Sequence, residues 1–86
     1  MIIRTLALGE KESSFLVNAA AQFIGAGVHN GQPLVFTTQP DDAPKVLQQH
    51  TIWNLAIHPA PEQQLEFIAT VRTDLGERHI YAEPAL

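Results

Sequence analysis

The sequence predicts an α/β fold, a small three-layer domain built on a sheet of about four mostly parallel strands. Short apolar runs alternate along the chain with segments whose apolar residues recur at helical spacing. Glycine or proline separates most of these segments. The resulting order, β-α-β-α-β-α-β, is typical of a flavodoxin-like or truncated doubly wound sheet. An α+β sheet with an antiparallel last strand is the alternative.

Composition predicts one small domain over residues 1–86, with 45% hydrophobic residues. No apolar run approaches the roughly 20 residues of a membrane span, and residues 1–8 do not read as a secretory leader. The absence of cysteine suits a reducing compartment, so we expect a cytoplasmic protein. A net charge of −4 with five scattered basic residues argues against direct nucleic-acid binding.

The first half of the chain reads as strand, helix and strand. Ile2–Leu8 is an apolar strand that Gly9 ends. Ser13 is the expected N-cap of a helix that runs from Ser14 to about Gly25. The glycines that follow, including the Asn30-Gly31 pair, are expected to end this helix. Its apolar positions lie one, four and five residues apart and form one stripe: Phe15, Leu16, Ala19, Ala20, Phe23 and Ile24.

The second half continues the alternation. The expected elements, in order, are a buried strand (Leu34–Thr37), a short helix (Ala43–Gln49), a strand (Ile52–Ile57), a longer helix (residues 61–75) and a short edge strand (Arg78–Ala82). Pro61 suits the first position of the longer helix, and Gly76 closes it. Residues 83–86 are expected to form a tail.

The candidate ligand site is a polar rim. In open parallel sheets, ligands gather beyond the carboxyl ends of the strands. The residues expected there are Glu10, Ser13, Thr37, Thr38, Asp41 and His58. They would orient a small ligand, and His58 would be available as an acid or base. Ordinary capping and turn chemistry is the alternative role for the same residues.

Trp53 and Tyr81, the only Trp and Tyr, are the candidate interface residues. Either they lie in the core or its rim, or they are exposed and anchor an interface. The four histidines lack metal-ligand spacing, so no metal site is expected. The three glycines of Gly25–Gly31 follow a predicted helix instead of opening one, so they do not predict a dinucleotide site. No cofactor and no catalytic set are expected.

One stretch carries a family resemblance. Phe23-Ile24-x-Ala26-Gly27-Val28, then Gly31-Gln32-Pro33-Leu34-Val35-Phe36-Thr37-Thr38 and a short acidic-capped helix, resembles the N-terminal half of the MEDS (DcmR-type sensory) domain over roughly residues 6–49. The resemblance implies an α/β sensor or interaction module and carries over no catalytic residue. MEDS domains are longer and typically begin with a histidine near the position of Arg4. The helix–Gly–strand unit and Trp53…Ile57-His58-Pro59 are more weakly similar to the chi subunit of bacterial replicative DNA polymerase, which would imply a replication adaptor.

Three functions follow as hypotheses. The favoured one is a non-catalytic signalling or adaptor domain that binds a protein partner or itself, with homo-oligomers formed through exposed sheet edges. The second is a sensor that binds a small molecule at the polar rim. The third and weakest is an enzyme that uses His58 and Glu10.

Overall fold

The protein is built almost wholly of antiparallel strands in the computed structural model, which describes residues 1–83. The strands are β1 Ile2–Ala7, β2 Glu12–Asn18, β3 Gln22–His29, β4 Gln32–Gln39, β5 Leu47–Leu55, β6 Glu66–Thr73 and β7 Gly76–Ala82. A single 3-10 turn in the described residues spans Pro61–Gln63. Sheet A has the order β1-β4-β3, and sheet B has the order β2-β5-β7-β6.

The predicted α/β fold is therefore wrong, and so is the alternative that kept helices. The four predicted strands are strands: they lie in β1, β4, β5 and β7, although β5 ends at Leu55 instead of Ile57. All neighbouring strands pair antiparallel. The three predicted helices are the source of the error, because each of them forms strand or loop.

The predicted helix over residues 14–25 is two strands joined by a tight turn. β2 ends at Asn18, Ala19 and Ala20 form the turn, and β3 begins at Gln22. Asn18 Oδ1 accepts the amide of Ala20 at 2.8 Å, a local bond by which an Asn side chain favours a turn over a helix. Inward-facing and outward-facing residues alternate along each strand, and the turn shifts this alternation between β2 and β3. The combined pattern therefore resembles the spacing of a helix.

The other two predicted helices are also wrong, because their residues form loops and strands. The segment predicted as Ala43–Gln49 is a loop that leads into β5. The helix predicted from Pro61 stops after one 3-10 turn, since Gln64 adopts a left-handed conformation with φ 53°. The rest of that segment is β6 and the turn to β7. Its Phe, Ile, Thr and Val residues favour strands over helices.

Asn30 and Gly31 form a hairpin turn. Both residues have positive φ, 52° and 77°, and they join β3 to β4. A two-residue turn of this kind requires left-handed backbone at both positions, which Asn and Gly tolerate best. The Phe23–Thr38 stretch of the MEDS resemblance is therefore a β-hairpin, and the α/β fold that this resemblance implies is not the fold of this chain.

The two sheets pack against each other with one face each. β3 lies against β6 where the sheets meet, and the molecule is thin, with extents of 38 × 32 × 16 Å. The core therefore takes only the inner face of each sheet. Its buried members are Leu8, Val35, Ile52, Val71, Ile80 and Ala82, with Phe15, Phe23, Ala26 and Ile68 packed against them. No helix within residues 1–83 has the length and apolar character needed to cross a membrane.

Candidate functional site: an aromatic surface on sheet B

The outer face of sheet B carries a row of aromatic side chains. The register aligns Glu12 with Trp53, Trp53 with Tyr81, and Tyr81 with Phe67, so that one row crosses all four strands. Directly opposite residues of antiparallel strands share a face. The Phe67 and Tyr81 rings meet edge to face, with centroids 5.2 Å apart. Phe67 keeps 52% of its surface exposed, whereas Tyr81 keeps 9%.

His58 closes over this row from the loop that follows β5. Its Nδ1 lies 2.7 Å from the Tyr81 hydroxyl, within hydrogen-bond distance. Its ring also lies against Phe67, with centroids 6.1 Å apart. After β5 the chain bends at Ala56 and Ile57 and then runs through His58 to the 3-10 turn at Pro61–Gln63. Tyr81 is buried because the loop covers it.

His79 completes the group in the next row of β7. Its ring stacks on that of His58, with centroids 3.8 Å apart and planes 21° apart. Its Nδ1 lies 2.9 Å from the Thr70 hydroxyl. Because the His58 and His79 rings are stacked, their nitrogens point outward in nearly parallel planes and do not converge on one position. We call Trp53, His58, Phe67, His79 and Tyr81 together the aromatic surface.

A cleft of about 350 Å³ opens beside the aromatic surface. Trp53, Leu55, Leu65, Gln63 and Glu83 line it. The indole Nε1 of Trp53 donates to Glu83 Oε1 at 3.0 Å. This cleft, the Trp53 cleft, therefore combines an aromatic ring, two apolar side chains and a carboxylate.

The six residues predicted to share a polar rim are not brought together. The prediction assumed parallel strands, and this sheet has none among the described residues. Ser13 Oγ accepts the amide of Gly9 at 2.8 Å, which is turn chemistry. Thr37 is buried, with 1% of its surface exposed, and Thr38 is half-buried near the carboxyl end of β4. Asp41 is exposed and lies 2.6 Å from the amino group of Met1.

Glu10 and His58 lie on opposite sides of sheet B. Glu10 borders a pocket with Asn54 and Arg78, which alternate onto the inner face, whereas His58 contacts the outer face. The two side chains do not meet at one substrate. The structure does bring together His58, Trp53 and Tyr81, which the sequence assigned to two different sites.

Sequence reasoning missed Phe67, His79 and Glu83. Phe67 lies in a segment predicted to be a helix, so the two-residue alternation of a strand was not used to place its side chain. His79 and Tyr81 are two residues apart in β7, as are Trp53 and Leu55 in β5, so period-two alternation places each pair on one face. Nothing in the sequence signals that the loop after β5 returns to cover Tyr81.

Within residues 1–83, no group of three or more His, Cys, Asp or Glu side chains could hold a metal ion. No family model, curated protein or solved structure matches the chain. The resemblances to the MEDS domain and to the chi subunit therefore stay predictions.

Proposed function

We propose that the protein is a small non-catalytic adaptor domain that binds a partner protein, and that the Trp53 cleft receives a basic side chain of that partner. One observation carries the proposal. The outer face of sheet B carries a row of large aromatic side chains, of which Phe67 stays 52% exposed, where an antiparallel sheet that faces water normally carries polar ones. Trp and Tyr are enriched among the residues that dominate protein–protein binding energy.

The chemistry of the cleft supports a basic occupant. Leu55 and Leu65 would contact the methylene stem of a Lys or Arg side chain, whose charged head prefers a polar end. Glu83 supplies that end, and the Trp53 ring is available for a cation–π contact. Glu12, exposed and opposite Trp53 in the register, adds a second carboxylate on the other side of the ring.

The histidine contacts support a surface that is ordered before binding. His58 is held by Tyr81, Phe67 and His79 together. The loop that forms one wall of the cleft is thereby fixed on the sheet. A fixed wall lowers the entropy lost on binding, and so favours affinity.

The test uses Trp53 as its own reporter, because it is the only tryptophan. Short synthetic peptides with one Arg or Lys between apolar residues are titrated while Trp53 fluorescence is followed. We expect a saturable change that weakens with added salt, and no saturable change with peptides that carry Glu at the same position. If basic and acidic peptides behave alike, the proposal is wrong.

Glu83→Gln is the decisive variant. A glutamine oxygen can still accept the Trp53 N–H, so the change removes the charge and keeps the bond. We expect binding of the basic peptides to weaken about tenfold, the equivalent of one charged hydrogen bond. Glu77→Gln, the same charge change at an exposed position of β7 opposite Arg72, is the matched control and should bind as the unaltered protein does. Equal weakening in both variants would count against the cleft.

Self-association is a second candidate, and one observation favours it. β1 pairs with β4 on one side only, contains no bulge or proline, and exposes 64% of Ile3. An edge of this kind is a template for pairing with another strand, here β1 of a second copy. A reducing compartment such as the cytoplasm, expected from the lack of cysteine, stays part of either proposal.

A further inference from the structure

A pocket of about 290 Å³ lies at the end of the molecule where the turns of both sheets meet. The β3–β4 turn contributes Gly31, the β6–β7 hairpin contributes Thr73, and the β1–β2 connection contributes Glu10. Asp74 of the β6–β7 turn lies against Gly31, so the two hairpin turns meet at this pocket. We call this space, on the opposite side of sheet B from the aromatic surface, the turn pocket.

Asn54, which lines the turn pocket, has a side-chain oxygen without a partner within residues 1–83. Its side chain is 6% exposed and lines the pocket. Its Nδ2 donates to the carbonyl of Gly9 at 2.9 Å, which fixes the orientation of the amide because the flipped amide would set two oxygens against each other. Its Oδ1 is buried without a hydrogen-bond partner in the described residues. A buried acceptor of this kind is normally satisfied by a donor, which here is a water or a ligand N–H.

Arg78 brings an unpaired cation to the same pocket. It alternates with Ile80 and Ala82 onto the inner face of β7, where a charged residue is unusual. The single ion pair within residues 1–83 joins Met1 and Asp41, so no carboxylate lies within 4.0 Å of this guanidinium in that part of the chain. A planar guanidinium binds carboxylates through two parallel hydrogen bonds.

The positions of the two groups define the ligand. Asn54 opposes Ile80 in the register, so Arg78 is its diagonal neighbour on the same face, roughly 7 Å away along the pleat. A ligand that reaches both needs an N–H donor and a carboxylate a few atoms apart. Glu10 also borders the pocket and favours a donor with positive charge. The pocket lies at the small end of ligand sites, of about 300 Å³.

We propose that the turn pocket binds a small free α-amino acid. Arg78 holds the carboxylate, Asn54 Oδ1 accepts an N–H of the ammonium group, and Glu10 attracts its charge. This proposal does not depend on the function proposed for the aromatic surface, since the two sites lie on opposite sides of sheet B.

The test is a titration of ¹⁵N-labelled protein followed by amide chemical shifts. The standard free amino acids are added singly to about 10 mM, which detects a Kd of about 1 mM. We expect at least one small amino acid to cause saturable shifts at Gly9, Glu10, Gly31 and Arg78. Its deaminated acid, its decarboxylated amine and its N-acetyl derivative should each bind about tenfold more weakly or less, since each lacks one charged contact.

Two variants and one control complete the test. Arg78→Met keeps the apolar stem and should abolish the shifts, whereas Arg72→Met, exposed on β6, should leave them unchanged. Should Arg78→Met fail to fold, Glu10→Gln at an exposed loop position carries the test and should weaken binding severalfold. No saturable shift with any amino acid, equal binding of the deaminated acid, or unaltered binding in these variants would overturn the proposal.

Discussion

Tyr81 links the loop after β5 to the sheet within the aromatic surface, since it contacts both His58 and Phe67. Tyr81→Phe keeps the ring and removes the hydroxyl that lies 2.7 Å from His58 Nδ1. We expect the free energy of unfolding to fall by about 0.5–1.5 kcal/mol, the net contribution of one hydrogen bond. Urea denaturation measures the change.

The control for Tyr81→Phe is Thr70→Val, which removes the more exposed bond from Thr70 to His79. Because water can replace an exposed partner, the loss of stability should be smaller there. A loss that is equal or greater for Thr70→Val would mean that the Tyr81–His58 contact does not fix the loop.

Gly31 has a positive φ, which it shares with Gly76, and is the one of the two whose added Cβ would meet another residue. Its φ is +77°, and an added Cβ would meet the carboxylate of Asp74. Gly31→Ala should therefore lower the free energy of unfolding by about 1–2 kcal/mol, mainly from the left-handed backbone, because Asp74 can move aside. Gly25→Ala is the matched control, since nothing lies within 4 Å of its added Cβ and its φ is not positive. Thermal or urea unfolding of both variants decides the matter, and equal losses would contradict it.

At the scale of the element, β7 depends on one fully buried side chain. Ile80 is 0% exposed and packs with Ile52 and Val71. Ile80→Ala should cost about 2–5 kcal/mol, from lost burial and from the cavity that is left. Because the upper value approaches the total stability of a domain this small, Ile80→Val, at about 0.5–1.5 kcal/mol, gives a measurable second point.

Ile57 supplies the comparison for Ile80. It is 77% exposed in the loop after β5, so Ile57→Ala should change stability by less than about 0.5 kcal/mol. Denaturant midpoints measured under the same conditions test both expectations. A large loss at Ile57 would show that this side chain packs against the sheet in solution.

The elements also show how far sequence reasoning reaches. The positions of all four predicted strands were close to correct, although their parallel pairing was wrong, because short runs of β-branched and apolar residues bounded by turn residues are typical of strands. The helices were wrong because helical spacing over residues 15–24 crosses a turn that local hydrogen bonds of Asn18 create. Asn30-Gly31, between two apolar runs, is a strong hairpin signal and was interpreted as a helix end.

The candidate site was predictable only in part. Trp53 and Tyr81 were identified by their residue type, and their cross-strand pairing follows from a register that no local pattern defines. The inward positions of Asn54 and Arg78 follow from alternation once β5 and β7 are known to be strands. Their convergence with Glu10 depends on how the two sheets pack, which is a property of the whole chain.

At the scale of the molecule, the unpaired edge of β1 predicts self-association. Ile3→Lys places a charge on this edge and should keep the protein monomeric wherever the unaltered protein forms dimers. Light scattering across a concentration series measures the mass in solution.

Ile24→Lys is the control, because Ile24 is similarly exposed but lies at the bulge of β3, whose strand faces β6. It should associate as the unaltered protein does. A monomeric unaltered protein, or dimers abolished only by Ile24→Lys, would rule out the β1 edge.

The strand order has a consequence for how the chain is made. Sheet A uses only β1, β3 and β4, all within the first 39 residues, whereas β7 lies inside sheet B between β5 and β6. During synthesis the amino-terminal strands emerge first and can pair. β2 and β5 can pair as well, but their shared sheet stays open along β5 until residues 76–82 leave the ribosome. For that interval the nascent chain exposes the apolar inner faces of both sheets, and this is when it is most vulnerable to aggregation or capture by a chaperone.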